Sequence, residues 1–271
     1  MRRALADTMP HAVSRKRIER MRLLLSLLRD QPDPTPLALD ELAVQLRVSK
    51  ATIRRDLAAL EDENLLVRTH GGARAAELPQ EIPVRLRTTQ SQRAKQLIAR
   101  RTAQLIPAGP HALAVSGGTT TTEVVRALRY HADLTVITNA LSIAAESAAW
   151  PRIKVIVTGG RVRAHSLEAV GPLSEATFNS VNVATAVLGA DGVSAEGGVT
   201  THDETEARTN RAMVMHAQRV IVAADGSKIA RIMLARMADL SEVHDLVTDS
   251  SADPAELERI RKAGVHLHVV D

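Results

Sequence analysis

Cysteine is absent from the 271 residues, which removes disulfides, zinc fingers, iron–sulfur clusters and thiol catalysis together and fits a reducing compartment. Aromatic side chains are nearly absent too. Only Trp150, Tyr130 and Phe178 are present, so a core has to be assembled from Leu, Val, Ile, Ala and Met, an interior that suits helices on a parallel sheet. No stretch of about 18 consecutive apolar residues occurs, and Arg2 and Arg3 near the start are not followed by an apolar segment. Neither a membrane span nor an export signal is expected, and the cytoplasm is the default location. Excess charge is small, net +4, but it is unevenly placed: residues 1–74 hold 14 Lys and Arg against 10 Asp and Glu, whereas residues 75–271 hold 21 of each. A small basic region joined to a larger neutral one is the layout expected when only the first part meets a polyanion.

The length favours two domains of unequal size. After an extension over residues 1–13, Ser14 can cap a helix reaching about residue 29, with Ile18, Met21, Leu24, Leu25 and Leu28 recurring at three and four residues on one face. Pro32, Pro34 and Pro36 end it. A short helix over 40–46 buries Leu42, Ala43 and Leu46, and Arg47-Val48-Ser49 leads into a third helix, which completes a helix-turn-helix pattern. In the third helix Ser49 is the N-cap, and Ile53, Leu57 and Leu60 share the core face. At 100° per residue Ala51 and Arg55 then point outward, flanked by Thr52 and Arg54. An Arg fork can bond a guanine edge or a phosphate, so this face suits the major groove, with Arg55 the first candidate for a base and Lys50 for a phosphate. Asn64 can close the helix in a left-handed conformation, after which Leu66-Val67-Arg68-Thr69-His70-Gly71-Gly72-Ala73 reads as a hairpin that would lay Arg68 and His70 along the backbone. These observations delimit a DNA-binding domain over 14–74.

The run Val48-Ser49-Lys50-Ala51-Thr52-Ile53-Arg54-Arg55-Asp56-Leu57, with Leu60-Glu61 and Arg68-Thr69-His70-Gly71-Gly72-Ala73 behind it, closely resembles the signature of the DeoR family of regulators. That resemblance implies a winged helix-turn-helix that binds a double-stranded operator as a symmetric homodimer or homotetramer, often to repress sugar-catabolic genes. Asn64 stands where the family usually has Gly, and both residues tolerate the same backbone.

Residues 75–89 carry two prolines, mixed charges and no sustained periodicity, and read as a linker. The second domain, 90–271, opens with a helix that places Ala94, Leu97, Ile98, Arg101 and Leu105 on one side. Seven apolar runs follow, over 112–115, 134–138, 155–158, 184–188, 219–224, 246–248 and 265–270, separated by helical stretches. Runs apolar on both faces predict an α/β fold with a covered, Rossmann-like parallel sheet, whose ligands collect beyond the carboxyl ends of the strands. Polar residues stand at those ends. Ser116-Gly117-Gly118-Thr119-Thr120-Thr121 opens a helix and offers free amides to an anion, although a Thr-rich turn that only caps its own helix has equal claim. Gly189-Ala190-Asp191-Gly192 and Asp225-Gly226-Ser227-Lys228 supply a carboxylate that can order hydroxyls and an ammonium that can neutralise a phosphate. Converging on one edge, these suit a sugar phosphate.

This second part is also similar to the DeoR effector domain, through Gly118-Thr119-Thr120, Thr138-Asn139, Gly159-Gly160, Gly189-Ala190-Asp191-Gly192, Gly198-Val199-Thr200, Asp225 and Ser227-Lys228, and that domain is similar to ribose-5-phosphate isomerase. The similarity implies that Gly117 to Thr121 and Lys228 hold a phosphate and that Asp191 faces the sugar. The family often has an acid ahead of the Gly-Thr-Thr turn, where this chain has Ser116. A phosphosugar isomerase with a DNA-binding appendage is the rival. Laid gaplessly on the isomerase pattern, however, the chain puts Asn210 at the catalytic glutamate, and an amide cannot abstract a proton from carbon. The expected function is therefore a transcription regulator, not an enzyme, with no cofactor. Net charge argues against a nonspecific architectural DNA binder. His202, Asp203, Glu204 and Glu206 read as ordinary dipole matching in the first turn of a helix over 205–216 and not as metal ligands. Met213, Met215 and Met233 read as core or interface filler.

Overall fold

The computed structural model describes residues 15–31, 35–76, 81–88 and 90–271. The cap assigned to Ser14, the residues before it, Pro32, Pro34 and Thr89 lie outside that set. By contacts the chain divides into two units, 1–90 and 91–271.

In the first unit the helices Arg15–Arg29, Leu39–Gln45 and Lys50–Glu61 enclose a core of Met21, Leu24, Leu25, Leu28, Leu42, Ile53, Leu57 and Leu60. Leu46 is only half-buried against it. Ser49 caps the third helix by accepting the Thr52 N–H. Its far end closes as expected of Asn64: this residue has φ 58°, its N–H reaches the Glu61 carbonyl at 2.7 Å, and the Leu65 N–H reaches the Leu60 carbonyl at 2.9 Å. Those two bonds form a Schellman closure with Asn in place of the usual Gly. The strands Leu66–Thr69 and Gly72–Ala75 then pair as the wing, and a third strand that the sequence reading lacks, Leu37–Ala38, pairs with the second of them. Two residues are too few to show an alternating pattern, so nothing local marks this strand. The stretch read as a linker contains one turn of helix, Val84–Arg87, whose Leu86 is buried in the same core.

One polar contact fixes the angle of the third helix. Asp56 is turned inward, with its side chain 2% exposed, and Arg17 and Arg20 of the first helix donate to its two oxygens at 2.9 and 2.6 Å. Hydrogen bonds to charged groups contribute more than neutral ones, and removing the carboxylate strands both guanidiniums.

The second unit is built on seven strands in the order His266–Val270, Asp245–Asp249, Ala217–Ala223, Val183–Leu188, His111–Val115, Leu134–Thr138 and Ile153–Val157, every pairing parallel. Each of the seven apolar runs is one of these strands. Alternate side chains feed two layers: Leu113 and Val115 join Ile98, Val124 and Ile143 from the helices Gln92–Gln104, Thr119–Ala127 and Leu141–Ser147. Ala114 joins Phe178, Met213 and Ile260 from Pro172–Asn179, Glu204–Met215 and Pro254–Lys262 on the other face. Trp150 packs half-buried against the first layer. The stripe expected on Gln92–Gln104 is rotated: Lys95, Ile98, Ala99 and Thr102 are the buried residues, while Ala94, Leu97, Arg101 and Leu105 are half-exposed. A buried Lys aligns poorly with a pattern read from apolar residues alone. Also unanticipated are a hairpin of Arg161–Arg163 with Glu168–Val170 and a three-stranded antiparallel sheet of Gly192–Ser194, Gly198–Thr201 and Ala235–Ala238.

Asp56→Ala is expected to destabilise the first unit by about 2 kcal/mol, read as a lower denaturation midpoint by circular dichroism. A loss under about 0.5 kcal/mol, the usual worth of an exposed ion pair, would show that the clamp does not hold the helix.

Candidate functional site

Two surfaces gather the residues singled out by the sequence. On the third helix of the first unit Lys50, Ala51, Arg54 and Arg55 are exposed on the face opposite Ile53, Leu57 and Leu60, and Thr52 is half-exposed. Ser49 and Thr52 are occupied with each other, hydroxyl to hydroxyl at 3.0 Å. Arg55 leans back on its own helix, its Nε 3.4 Å from the Ala51 carbonyl. Lys50 pairs with Asp40 of the preceding helix at 2.7 Å. On the wing Arg68 and His70 are exposed, and Glu61 holds Arg68 through both its backbone N–H and its Nε, at 3.1 and 2.6 Å. These bonds from Arg68 hold the Glu61 carboxyl below its ordinary range. The wing tip is tied down as well, since the Leu39 N–H donates to the Gly71 carbonyl at 2.7 Å.

The second surface lies at the carboxyl ends of the parallel strands. Strand order reverses between His111–Val115 and Val183–Leu188, and such a reversal opens a crevice because the connections leave in opposite directions. Ser116, buried behind the first of these strands, accepts the Gly189 N–H at 3.0 Å and so ties the two ends together. Gly117 and Gly118 follow, and Gly118 has φ 134°, a backbone that side chains disfavour. The helix Thr119–Ala127 starts next, with Thr119 half-exposed and Thr120 8% exposed. Thr121 requires a correction. It is fully buried and its hydroxyl donates to the Gly118 carbonyl, as does that of Thr122, so Thr121 caps its own turn and is not offered to a ligand.

Asp191 sits across the crevice, 7% exposed. One of its oxygens accepts from Lys228 Nζ at 3.2 Å and the other lies 3.3 Å from the Thr201 hydroxyl oxygen. Lys228 reaches it from a 3₁₀ turn, Gly226–Lys228, capped by Asp225 and anchored by the Gly226 N–H on Asp249 at 2.6 Å. Three strand ends thus meet through side chains on Ser116, Asp191 and Lys228.

Two buried carboxylates join these groups: Glu168, which nothing local in the sequence marks, and Glu206, which the sequence placed in an ordinary first helical turn. Glu168, 1% exposed, comes from the short hairpin and accepts the Gly117 N–H at 2.6 Å. Glu206 is turned inward from the first turn of its helix, where Asp203 caps and Glu204 is exposed. The Thr201 hydroxyl donates to one Glu206 oxygen at 2.7 Å and Arg163 to the other at 3.1 Å, while Arg163 also meets Asp203 at 3.2 Å. Burial first, and the negative charges of Glu168 and Asp191 with it, push the Glu206 carboxyl well above its ordinary range against the pull of Thr201 and Arg163. Its spacing of three from Asp203 was the one available signal. One turn on, Asn210 is buried, its oxygen 3.4 Å from the Asn139 amide and its nitrogen 3.5 Å from Met237 Sδ. Among the described residues no group of three or more His, Cys, Asp and Glu is placed to hold a metal ion. A cavity of about 800 Å³ opens at the opposite edge of the sheet, beside His111, Asp133, Arg152 and Lys154, away from the crevice.

Because the folded state holds the Glu206 proton more tightly than the unfolded chain, its contribution is most favourable below the ordinary value of 4.5 and is lost as pH rises toward the folded value. Glu206→Gln keeps an oxygen to accept from Arg163 and turns an amide N–H toward the Thr201 oxygen, without ever ionising. The melting temperature of the variant relative to the parent is expected to rise between pH 5 and pH 8, and a difference independent of pH would overturn the assignment.

Known proteins bear on both surfaces. The DeoR-like helix-turn-helix domain matches residues 20–78 and the DeoR C terminal sensor domain matches residues 90–250. The putative aga operon transcriptional repressor of Escherichia coli O157:H7 is 32% identical over 93% of this chain and 93% of its own. The HTH-type transcriptional regulator GlpR of Haloferax volcanii is 34% identical over 91% and 95%, and the glycerol-3-phosphate regulon repressor of Escherichia coli K12 is 31% identical over 78% and 83%. A ribose 5-phosphate isomerase from Methanocaldococcus jannaschii overlaps 52% of this chain and 56% of its own with a TM-score of 0.39 and 14% identity, a likeness too loose to speak to the site.

Proposed function

This chain belongs to the DeoR family of transcription regulators, and on that premise we propose that it represses sugar or sugar-alcohol catabolic genes under control of a phosphorylated sugar. The observation that supports the control is the meeting of three strand ends at the reversal point, where Ser116 is tied to Gly189 and Lys228 to Asp191. Amides and hydroxyls of Gly117 to Thr120 and the Lys228 ammonium are suited to a phosphate, and Asp191 to sugar hydroxyls. The named relatives are repressors of the aga operon and of the glycerol-3-phosphate regulon, which agrees with a phosphorylated carbohydrate effector.

The DNA half rests on the exposed face of Lys50–Glu61. Arg55 is the base reader, and Arg54, Lys50, Arg68 and His70 serve the phosphates, with Ser49 and Thr52 at the helix start. Lys50 and Arg68 already hold carboxylates, so each exchanges one anionic partner for another on binding. The protein acts as a symmetric oligomer, and the effector shifts the spacing of its reading heads by preferring one arrangement.

Arg55→Ala should lower operator affinity by about 1 to 3 kcal/mol and relax preference at one base pair. Lys50→Ala should weaken all sequences evenly and flatten the salt dependence by no more than about one unit of slope. Equal losses on every sequence for both variants would remove Arg55 as a reader. In a thermal-shift screen of pentose, hexose and polyol phosphates, one compound at about a hundred times its Kd is expected to stabilise the protein by roughly 2.7 kcal/mol and to alter operator affinity. Failure of every compound to do either would end the sensor reading.

A further inference from the structure

Glu168 belongs to a different element from the turn it touches, 51 residues along the chain. Its carboxylate lies flat against Gly117: a Cβ added at that glycine would fall 2.4 Å from Glu168 Cγ, 2.5 Å from Cδ and 2.7 Å from Oε1. The bond to the Gly117 N–H, 2.6 Å, is short and charge-assisted, and it uses the first amide of the Gly-Gly-Thr turn. Buried carboxylates are rare unless something holds them, and one of the groups that hold this one is an amide suited to an anion from outside. On the reading that this turn receives the effector's phosphate, we infer that Glu168 is an internal stand-in for that phosphate, which has to displace it. Glu168 is then a specificity-determining residue of the sensor.

The chemistry follows from one amide being offered two anions. Phosphate oxygens and a carboxylate cannot both accept the Gly117 proton, and their charges repel within a crevice that already holds Asp191 and Glu206. The rise in the Glu206 pKa, caused after burial by Glu168, is the same repulsion felt from another side. A dianion held additionally by Lys228 competes with a single carboxylate, whereas an uncharged sugar does not. The crevice therefore discriminates against unphosphorylated sugars by what they have to displace as well as by what they lack. Glu168 opens the strand Glu168–Val170, and the carbonyl of Leu167 before it, at φ 56°, accepts the Leu141 N–H. Movement of Glu168 is thus movement of the hairpin, whose Val162 and Leu167 are exposed apolar side chains.

Calorimetric titration of the full chain with inorganic phosphate tests this in the parent, Glu168→Ser and Glu168→Gln. Glu168→Ser, too short to reach the amide, is expected to bind at least tenfold more tightly than the parent. Glu168→Gln, which keeps an acceptor without the charge, is expected to lie between. Equal or weaker binding by both variants overturns the stand-in while leaving the phosphate cradle in place. Binding by none of the three overturns the cradle itself and the inference with it. Should Glu168→Ser not fold, the carboxyl carbon resonance of Glu168 in the parent decides: saturating phosphate is expected to shift it, and an unshifted resonance at saturation overturns the inference.

Discussion

The reversal of strand order between His111–Val115 and Val183–Leu188 is the constraint on which the second unit turns. Parallel strands need crossover connections, and those connections pack on one face up to this point and on the other beyond it. The gap left between the two loops is a consequence of topology and needs no particular side chain. What the side chains decide is its width. The Ser116 hydroxyl holding the Gly189 amide keeps the two strand ends at bonding distance, and Gly117, without a Cβ, lets a carboxylate lie where no other residue would leave room.

The crevice is rich in acid for a place suited to a phosphate. Lys228 pairs with Asp191 and Arg163 with Glu206, and Glu206, with Glu168 and Asp191 near it, holds its proton more tightly. A sensor can use such crowding, because a site that is uncomfortable when empty has more to gain from a ligand that rearranges it. A catalyst of proton transfer needs a base aimed at a carbon, and the residue one turn beyond Glu206 is Asn210, whose amide is spent on Asn139 and Met237.

The centre of the sheet was legible because strands such as Val183–Leu188 and His111–Val115 are buried on both faces and rich in apolar residues, and the reading helix because Ile53, Leu57 and Leu60 keep a helical period. The small antiparallel sheet and the hairpin were not. Gly192–Ser194 and Glu168–Val170 are three residues each and mix polar with apolar side chains, so no period can emerge. Nor does any neighbour in sequence mark Glu168 or Asp56, whose partners are dozens of residues away and follow from packing alone. The same holds for Leu86, which looks like a linker residue until the first helix is in place beside it.

The scarcity of aromatic side chains leaves one indole, Trp150, and it stands half-buried at the end of the sheet's first layer, with Tyr130 and Phe178 in the same unit. The DNA-reading unit contains no aromatic residue at all. Ultraviolet emission from this protein is therefore a private signal of the sensor: light excited near the indole band reports the second unit alone while the reading head stays dark, and the two halves can be watched separately without attaching a dye.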